Sequence, residues 1–255
     1  MPSWPYPYWI AHRGAGKLAP ENTLAAFRLG ASYGYRAYEC DVKLSADGVC
    51  FLLHDDTLDR TTDGQGDAGH LPWVRLSQHD AGGWHSRAYA GEPLATLAGI
   101  ARFVQANGHA LNIEIKPSPG RARDTGEAVA REAERLWAGQ TVPPLLSSFQ
   151  VEALEGARSA APQVPRALLL DALPAGWLDT ALRLQCVAVV VHHPLVSADV
   201  VQQAHHASLR LLVYTANEPD TVRRLADLGV DGIITDAIDR HAPTDPYLSQ
   251  PRLRK

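Results

Sequence analysis

Cysteine is scarce in this chain. Cys40, Cys50 and Cys186 are an odd number, match neither a CxxC pair nor a zinc-ligand spacing, and each lies in an apolar run. A disulfide framework and a thiolate metal site are thereby excluded, and the three read as reduced core thiols. Long apolar runs are also missing. Stretches such as 186–191 fall far short of the roughly 20 residues that span a bilayer. The opening Met1-Pro-Ser-Trp-Pro-Tyr-Pro-Tyr has neither the basic nor the apolar region of a secretion signal, so a cytoplasmic protein without a membrane anchor is expected. Lysine plus arginine is 24 against 28 aspartate plus glutamate, a net charge of −4. With no basic block to follow a phosphate backbone, nucleic acid is not an expected partner. No GxGxxG or P-loop pattern occurs, so a nucleotide cofactor is not indicated.

What is present is a regular alternation. Of 255 residues 45% are hydrophobic, enough for a sizeable core, and the length suits a single α/β barrel. Short runs rich in Val, Ile, Leu and Tyr predict strands at 8–12, 37–43, 49–54, 111–116, 145–149, 166–170, 187–191, 209–214 and 232–235. Segments of helical period predict helices at 23–32, 97–106, 125–138, 151–160, 178–184, 198–207 and 219–228, the signature of βα units around a parallel sheet. Nine strands are one too many for an eight-stranded barrel. Ala46-Asp47-Gly48 is a tight-turn signal that accounts for the surplus, because it makes the third run the return arm of an antiparallel hairpin. From Asp56 to about residue 93 the pattern lapses into Gly-, Asp-, His- and Trp-containing sequence, read as a small folded insertion over the mouth. The expectation is therefore one α/β domain over 1–255, a TIM (β/α)8 barrel with a small insertion after the second strand and its hairpin. From His241 onward the Pro-containing, basic end reads as a surface tail.

Barrels of this type carry their reactive groups at the carboxyl ends of the strands, and three strand ends turn polar there. The first ends in His12-Arg13-Gly14, the second carries Glu39-x-Asp41-x-Lys43, and the next parallel strand carries Asn112-x-Glu114-x-Lys116. Alternation puts Glu39, Asp41 and Lys43 together on one face of their strand and, by the same parity, Asn112, Glu114 and Lys116 together on one face of theirs. If the strands are neighbours, several carboxylates crowd one small space, which is costly unless neutralised. A hard divalent cation on Glu39, Asp41 and Glu114 would do so, and oxygen-only ligands suit Mg²⁺, Ca²⁺ or Mn²⁺. The plain alternative is a buried salt-bridge network in which Lys43 and Lys116 satisfy the carboxylates. His54-Asp55 closes the hairpin and returns His54 to the mouth that holds His12, and a histidine pair beside a cation suits proton transfer. Arg13 and Lys116 add positive charge there. Cations around a histidine pair describe a site that transfers or hydrolyses an anion, phosphate being the commonest.

These residues closely resemble the glycerophosphodiester phosphodiesterase family, in its short bacterial form. The resemblance rests on His12-Arg13-Gly14, Pro20-Glu21-Asn22-Thr23, Glu39-x-Asp41-Val42, Asp47-Gly48 leading to His54-Asp55, Arg60-Thr61-Thr62-Asp63-Gly64, Asn112-Ile113-Glu114-Ile115-Lys116, Ser148-Phe149, Tyr214-Thr215-x-Asn217 and Gly232 to Asp236. It implies a metal-dependent hydrolysis of glycerophosphodiesters to glycerol 3-phosphate and an alcohol. Glu39, Asp41 and Glu114 would be ligands of one divalent cation, His12 and His54 the acid and base, and Arg13 and Lys116 the phosphate-binding groups. Glu21, Asn112 and Tyr214 would lie in or just behind the site, although Pro20-Glu21-Asn22-Thr23 also reads as a helix start capped by Asn22. Tyr214 stands where the family usually has tryptophan, which bears on the alcohol pocket. The nucleophile, a glycerol hydroxyl or water, stays open, as do the choice between Mg²⁺ and Ca²⁺ and the oligomeric state. Competing readings are a lysophospholipase D or phospholipase C-like lipid phosphodiesterase, which would want an apolar rim supplied by Trp73, Trp84 and Tyr89, and a non-catalytic phosphoester-binding barrel.

Overall fold

In the computed structural model, which describes residues 4–243, the strands are β1 (Trp9–Ala11), β2 (Ala37–Leu44), β3 (Cys50–Leu52), β4 (Ala110–Ile115), β5 (Leu145–Ser148), β6 (Arg166–Leu170), β7 (Ala188–His192), β8 (Arg210–Tyr214) and β9 (Gly232–Thr235). Eight of them run parallel in a ring, since β1 pairs with β9 on one side and with β2 on the other. The ninth, β3, is antiparallel to β2, with Val42 opposite Leu52 and Leu44 opposite Cys50. The turn that forces this is local. Ser45 Oγ donates to Asp47 Oδ1 at 2.6 Å, the Gly48 N–H closes on Ser45 O, and Gly48 takes φ +82°, a conformation open to glycine at little cost. The structure is thus the closed (β/α)8 barrel that the strand count and the hairpin signal predict. The tail expected from His241 onward lies, past residue 243, outside the described residues.

The helices are α1 (Leu24–Ser32), α2 (Trp73–Leu76), α3 (Leu97–Ala106), α4 (Ala122–Leu136), α5 (Val151–Ala160), α6 (Trp177–Arg183), α7 (Ala198–His206) and α8 (Pro219–Leu228). The third expected helix begins three residues early and ends before Trp137, which caps it. Its first turn was hidden in sequence because Arg121 caps the backbone with no side-chain bond, so no Ser, Asn or Asp signal marks the start. The 56–93 stretch is ordered around α2, two 3₁₀ turns and the bridges Thr57–Asp67 and Asp80–Pro93. Leu58, Ala68, Leu76 and Ala81 pack on Phe51 and Leu53 of the hairpin arm in a small core of their own.

Strand alternation separates two larger cores. Tyr38, Cys40, Val42, Leu111, Ile113 and Ile115 face the helices, while Ile10, Ala37, Leu145, Leu169, Val190, Leu212 and Ile234 fill the barrel interior toward its amino end. The interior is apolar below and polar above. All three cysteines are buried and unbonded. Among the described residues no helix is long and apolar enough to cross a membrane.

Candidate active site

Where the apolar filling stops, β2 and β4 present the expected carboxylates. The register sets Asp41 beside Glu114 and Glu39 beside Asn112, and one oxygen from each of Glu39, Asp41 and Glu114 lies within 4.8 Å of the others, all buried. The salt-bridge alternative is only half realised. Lys116 Nζ donates to Glu114 Oε1 at 2.8 Å and sits 3.7 Å from Asp41 Oδ1, but Lys43 turns away to Asp56 Oδ1 at 2.6 Å. Glu39 Oε1 and Asp41 Oδ1 are left buried without a hydrogen bond. Burial, with Asp41 adjacent, pushes the Glu39 carboxyl up to about 8, and the same two causes raise Glu114 to about 7 against the pull of Lys116. Burial would raise Asp41 too, but Arg13, Lys116 and His54 together with a hydrogen bond from Asn22 hold it down at about 2. The protein's own cations outweigh burial at Asp41 but not at Glu39 or Glu114. Three buried oxygen donors with two unpartnered atoms fit a hard divalent cation.

Two histidines flank the triad, each held from behind by a carboxylate. His12, just past β1, meets Asp236 with Nδ1 to Oδ1 at 2.6 Å, and its Nε2 lies 3.7 Å from Glu39 Oε2. His54, carried back by β3, meets Asp55 with Nδ1 to Oδ1 at 2.6 Å. Their shifts are opposed. Burial lowers His12, but the bond to Asp236 and the Glu39 charge outweigh it and raise the imidazole. For His54 burial dominates, aided by Arg13 and Lys116, and the imidazole is lowered despite Asp41 and Asp55.

Arg13 sits at φ +49°, a left-handed conformation that costs a non-glycine residue about 1–2 kcal/mol. It is held there because its N–H donates to Glu39 Oε2 at 3.2 Å and its carbonyl accepts from Asn22 N at 2.9 Å. Its guanidinium donates from Nη1 to Glu21 Oε1 at 2.8 Å, while Nε stands 3.1 Å from Asp41 Oδ2 without hydrogen-bond alignment. Glu21 also accepts from both terminal nitrogens of Arg60, and Arg60 in turn donates to both oxygens of Asp55. One arginine of the insertion therefore ties the loop after β1 to the carboxylate behind His54.

Among the remaining expected residues, Asn112 is buried with both amide atoms unpartnered. Tyr214 sits on the rim, its hydroxyl 3.4 Å from Leu170 O and its ring against Phe149 and His192. The cleft beside the triad, of about 340 Å³, is bordered by Lys43, His54, Lys116, Ser148, Phe149 and Gln150. Its aromatic wall is thus Phe149, over which Lys116 Nζ lies at 5.6 Å. Of the aromatics expected at the rim, Trp73 packs tilted against Phe51, Tyr89 packs against the main core and only Trp84 is exposed. Asn22 is not the cap of α1. Thr23 is, accepting from Ala26 N, while Asn22 at φ +61° donates to Asp41 Oδ2 at 2.8 Å and accepts from Asp41 N at 3.1 Å. Asn22, Arg60, Phe149 and Asp236 thus reach the triad, the cleft or the histidines, a placement that composition and spacing do not give. Asp236 carried a signal, a carboxylate directly after an apolar strand.

A buried carboxylate triad, two carboxylate-backed histidines and two cations at the carboxyl mouth of a (β/α)8 barrel define a hydrolase of phosphoesters. Comparison with known proteins narrows the class. The model of the glycerophosphoryl diester phosphodiesterase family matches residues 12–240, and the chain belongs to that family. It is 30% identical to a glycerophosphodiester phosphodiesterase of Caldanaerobacter subterraneus subsp. tengcongensis, over 89% of this chain and 93% of that one. An Oleispira antarctica phosphodiesterase, solved in complex with the product sn-glycerol-3-phosphate, superposes with a TM-score of 0.86 at 33% identity, covering 92% and 95% of the two chains. A glycerophosphodiester phosphodiesterase from Agrobacterium tumefaciens str. C58 superposes at 0.77 with 27% identity, covering 91% and 97%.

Proposed function

We propose that this chain hydrolyses glycerophosphodiesters to sn-glycerol 3-phosphate and a free alcohol, using His12 and His54 as its proton-transfer pair. The observation that carries the reading is the pair itself: each imidazole is held at Nδ1 by a carboxylate, which leaves Nε2 for chemistry at the edge of the triad. Glu39, Asp41 and Glu114 would hold one divalent cation, Mg²⁺ or Ca²⁺, which when bound neutralises charge on a phosphoryl oxygen. Arg13 and Lys116, each paired to a carboxylate yet partly open at 17% and 22% side-chain exposure, can turn donors toward the same phosphoryl group. One histidine takes the proton from the attacking oxygen, of water directly or of a glycerol hydroxyl whose cyclic phosphate water then opens, and the other protonates the departing alkoxide oxygen. The opposed displacement of the two imidazoles suits that division of labour.

The product in the Oleispira antarctica complex supports the glycerophosphoryl half as the recognised half. For the alcohol, the cleft offers Phe149, Gln150 and Ser148, and its carboxylates Asp55, Asp56 and Glu114 are already engaged by Arg60, Lys43 and Lys116, so none is reserved for a quaternary ammonium and several head groups should be accepted. The unpaired buried thiols accord with a cytoplasmic setting. The test is release of sn-glycerol 3-phosphate from glycerophosphocholine, glycerophosphoethanolamine and glycerophosphoglycerol, compared with a dialkyl phosphate lacking glycerol hydroxyls. Turnover of the glycerol diesters with kcat/KM values inside about 10²-fold of one another, and a much poorer dialkyl phosphate, is expected. Equal efficiency on the dialkyl phosphate would overturn recognition of the glycerol.

A further inference from the structure

The last strand ends level with the first. Thr235 pairs with Ala11 where the barrel closes, and His12 N donates to Thr235 O at 3.0 Å. The next residue on that side is Asp236, brought to His12 across 224 positions of sequence. Its place is fixed from several directions. Gly16 lies so close that a Cβ there would stand 2.1 Å from Asp236 O, and Lys17 N donates to the same oxygen at 3.2 Å.

Asn217, in the loop between β8 and α8, governs the side chain. Its Oδ1 accepts from Asp236 N at 2.8 Å and from Thr235 Oγ1 at 3.1 Å. With the carbonyl side taken by two donors, the amide cannot flip, so its Nδ2 must face Asp236 Oδ2, at 3.4 Å. Asn217 is itself anchored, since its own carbonyl accepts from His241 Nε2 at 2.8 Å. Asp236 therefore has one oxygen turned to Asn217 and the other to His12. An ionised carboxylate only accepts, so the proton in the 2.6 Å contact belongs to His12 Nδ1.

We propose that Asp236, locked by Asn217, is the positioning residue that fixes the ring of His12 and keeps its proton on Nδ1, leaving Nε2 as the atom that exchanges a proton with substrate. The inference rests on the reading of His12 as a proton-transfer group. It assigns a purpose to two motifs that otherwise stand apart from the triad, Tyr214-Thr215-x-Asn217 and Gly232 to Asp236. Asp236 touches no reacting atom and acts through the imidazole alone.

The substitutions that test it follow from the fixed amide of Asn217. In Asp236→Asn the new side chain must present its carbonyl to Asn217 Nδ2, so its amino group faces His12 Nδ1 and drives the ring proton to Nε2. The paired swap Asp236→Asn with Asn217→Asp reverses this. The carboxylate at 217 still accepts from Thr235 and from the backbone at 236, now also accepts the new amide, and returns that amide's carbonyl to His12 Nδ1. The experiment compares wild type, single variant and swap with Mg²⁺ bound, using kcat and KM on glycerophosphoethanolamine and ¹⁵N–¹H correlation spectra of the histidine rings. The single variant should lose about 10²-fold or more in kcat with KM changed less than about threefold, and show His12 protonated on Nε2. The swap should restore the Nδ1 proton and at least about tenfold of the lost kcat. A single variant that keeps the Nδ1 proton, or a swap that restores neither tautomer nor rate, overturns the inference. Should wild type release no sn-glycerol 3-phosphate, the proposed function fails instead, while the spectra still decide the tautomer.

Discussion

Asn22→Ala isolates the support of one carboxylate of the triad. The amide of Asn22 is buried and makes two bonds to the same residue, donating to Asp41 Oδ2 at 2.8 Å and accepting from Asp41 N at 3.1 Å. A hydrogen bond to a charged group contributes about 1.5–3 kcal/mol, and a buried N–H left unpaired costs about 1–3 kcal/mol. Holding alanine at the φ of +61° that Asn22 adopts adds about 1 kcal/mol. The expected loss is about 3.5–7 kcal/mol, which for a chain of this size lowers Tm by roughly 7–28 °C. Asn22→Gly loses the same bonds but escapes the backbone strain, so it should be about 1 kcal/mol less harmful. Calorimetry and urea unfolding at one fixed divalent-ion concentration give both values, since bound cation stabilises by mass action. A loss below about 1 kcal/mol would refute the argument that the Asn22 clamp holds Asp41. Equal losses for the alanine and glycine variants would refute the strain component.

Removing the imidazole of His54 by substitution with alanine should depress kcat by about 10²–10⁴-fold on a substrate with a poor alcohol leaving group, measured beside an aryl ester that departs without protonation; near wild-type kcat on the poor leaving group would show that His54 transfers no proton. Asp231, at the other end of the barrel, accepts from His205, Arg210 and the Leu211 N–H, and these bonds outweigh its burial and lower its carboxyl. Its stabilisation is therefore fully present above the unfolded value near 3.8 and is lost as pH falls through the lower folded value. Asp231→Asn should cost about 2–3 kcal/mol at pH 7, and the gap to wild type should narrow below about pH 4; a gap independent of pH by urea unfolding would contradict this. Glu114→Gln should weaken divalent-cation binding and turnover together, read by calorimetric titration and by product release, whereas unchanged affinity would remove Glu114 from the ligand set.

The parts of this molecule legible in sequence are those that depend on near neighbours in the chain. Glu39-x-Asp41 and Asn112-x-Glu114 announce a shared face because strand parity is local, and Asp47-Gly48 announces the hairpin that returns His54. What parity cannot supply is the partner across the ring. His12 meets Asp236 only because β1 closes on β9, and Lys43 chooses Asp56 over the triad because the insertion begins directly above it. Asn22 was misread for a related reason. In sequence a cap and a tertiary clamp look alike, and Thr23 next to it can take the capping bond instead. Arg60 lay in a recognisable motif, but its double grip on Glu21 and Asp55 depends on the insertion folding back over the mouth.

The central claim is that a cation held by Glu39, Asp41 and Glu114 and a histidine pair together cleave a glycerophosphodiester. It is tested most directly by following release of sn-glycerol 3-phosphate from glycerophosphoethanolamine after exhaustive chelation and again after stoichiometric return of Mg²⁺ or Ca²⁺, with Asp41→Asn in parallel. Activity should vanish on chelation and return with about one equivalent of cation in wild type, since the triad forms one site, and should not return in the variant. Full turnover by the chelated wild type, or full recovery by Asp41→Asn, would contradict the account.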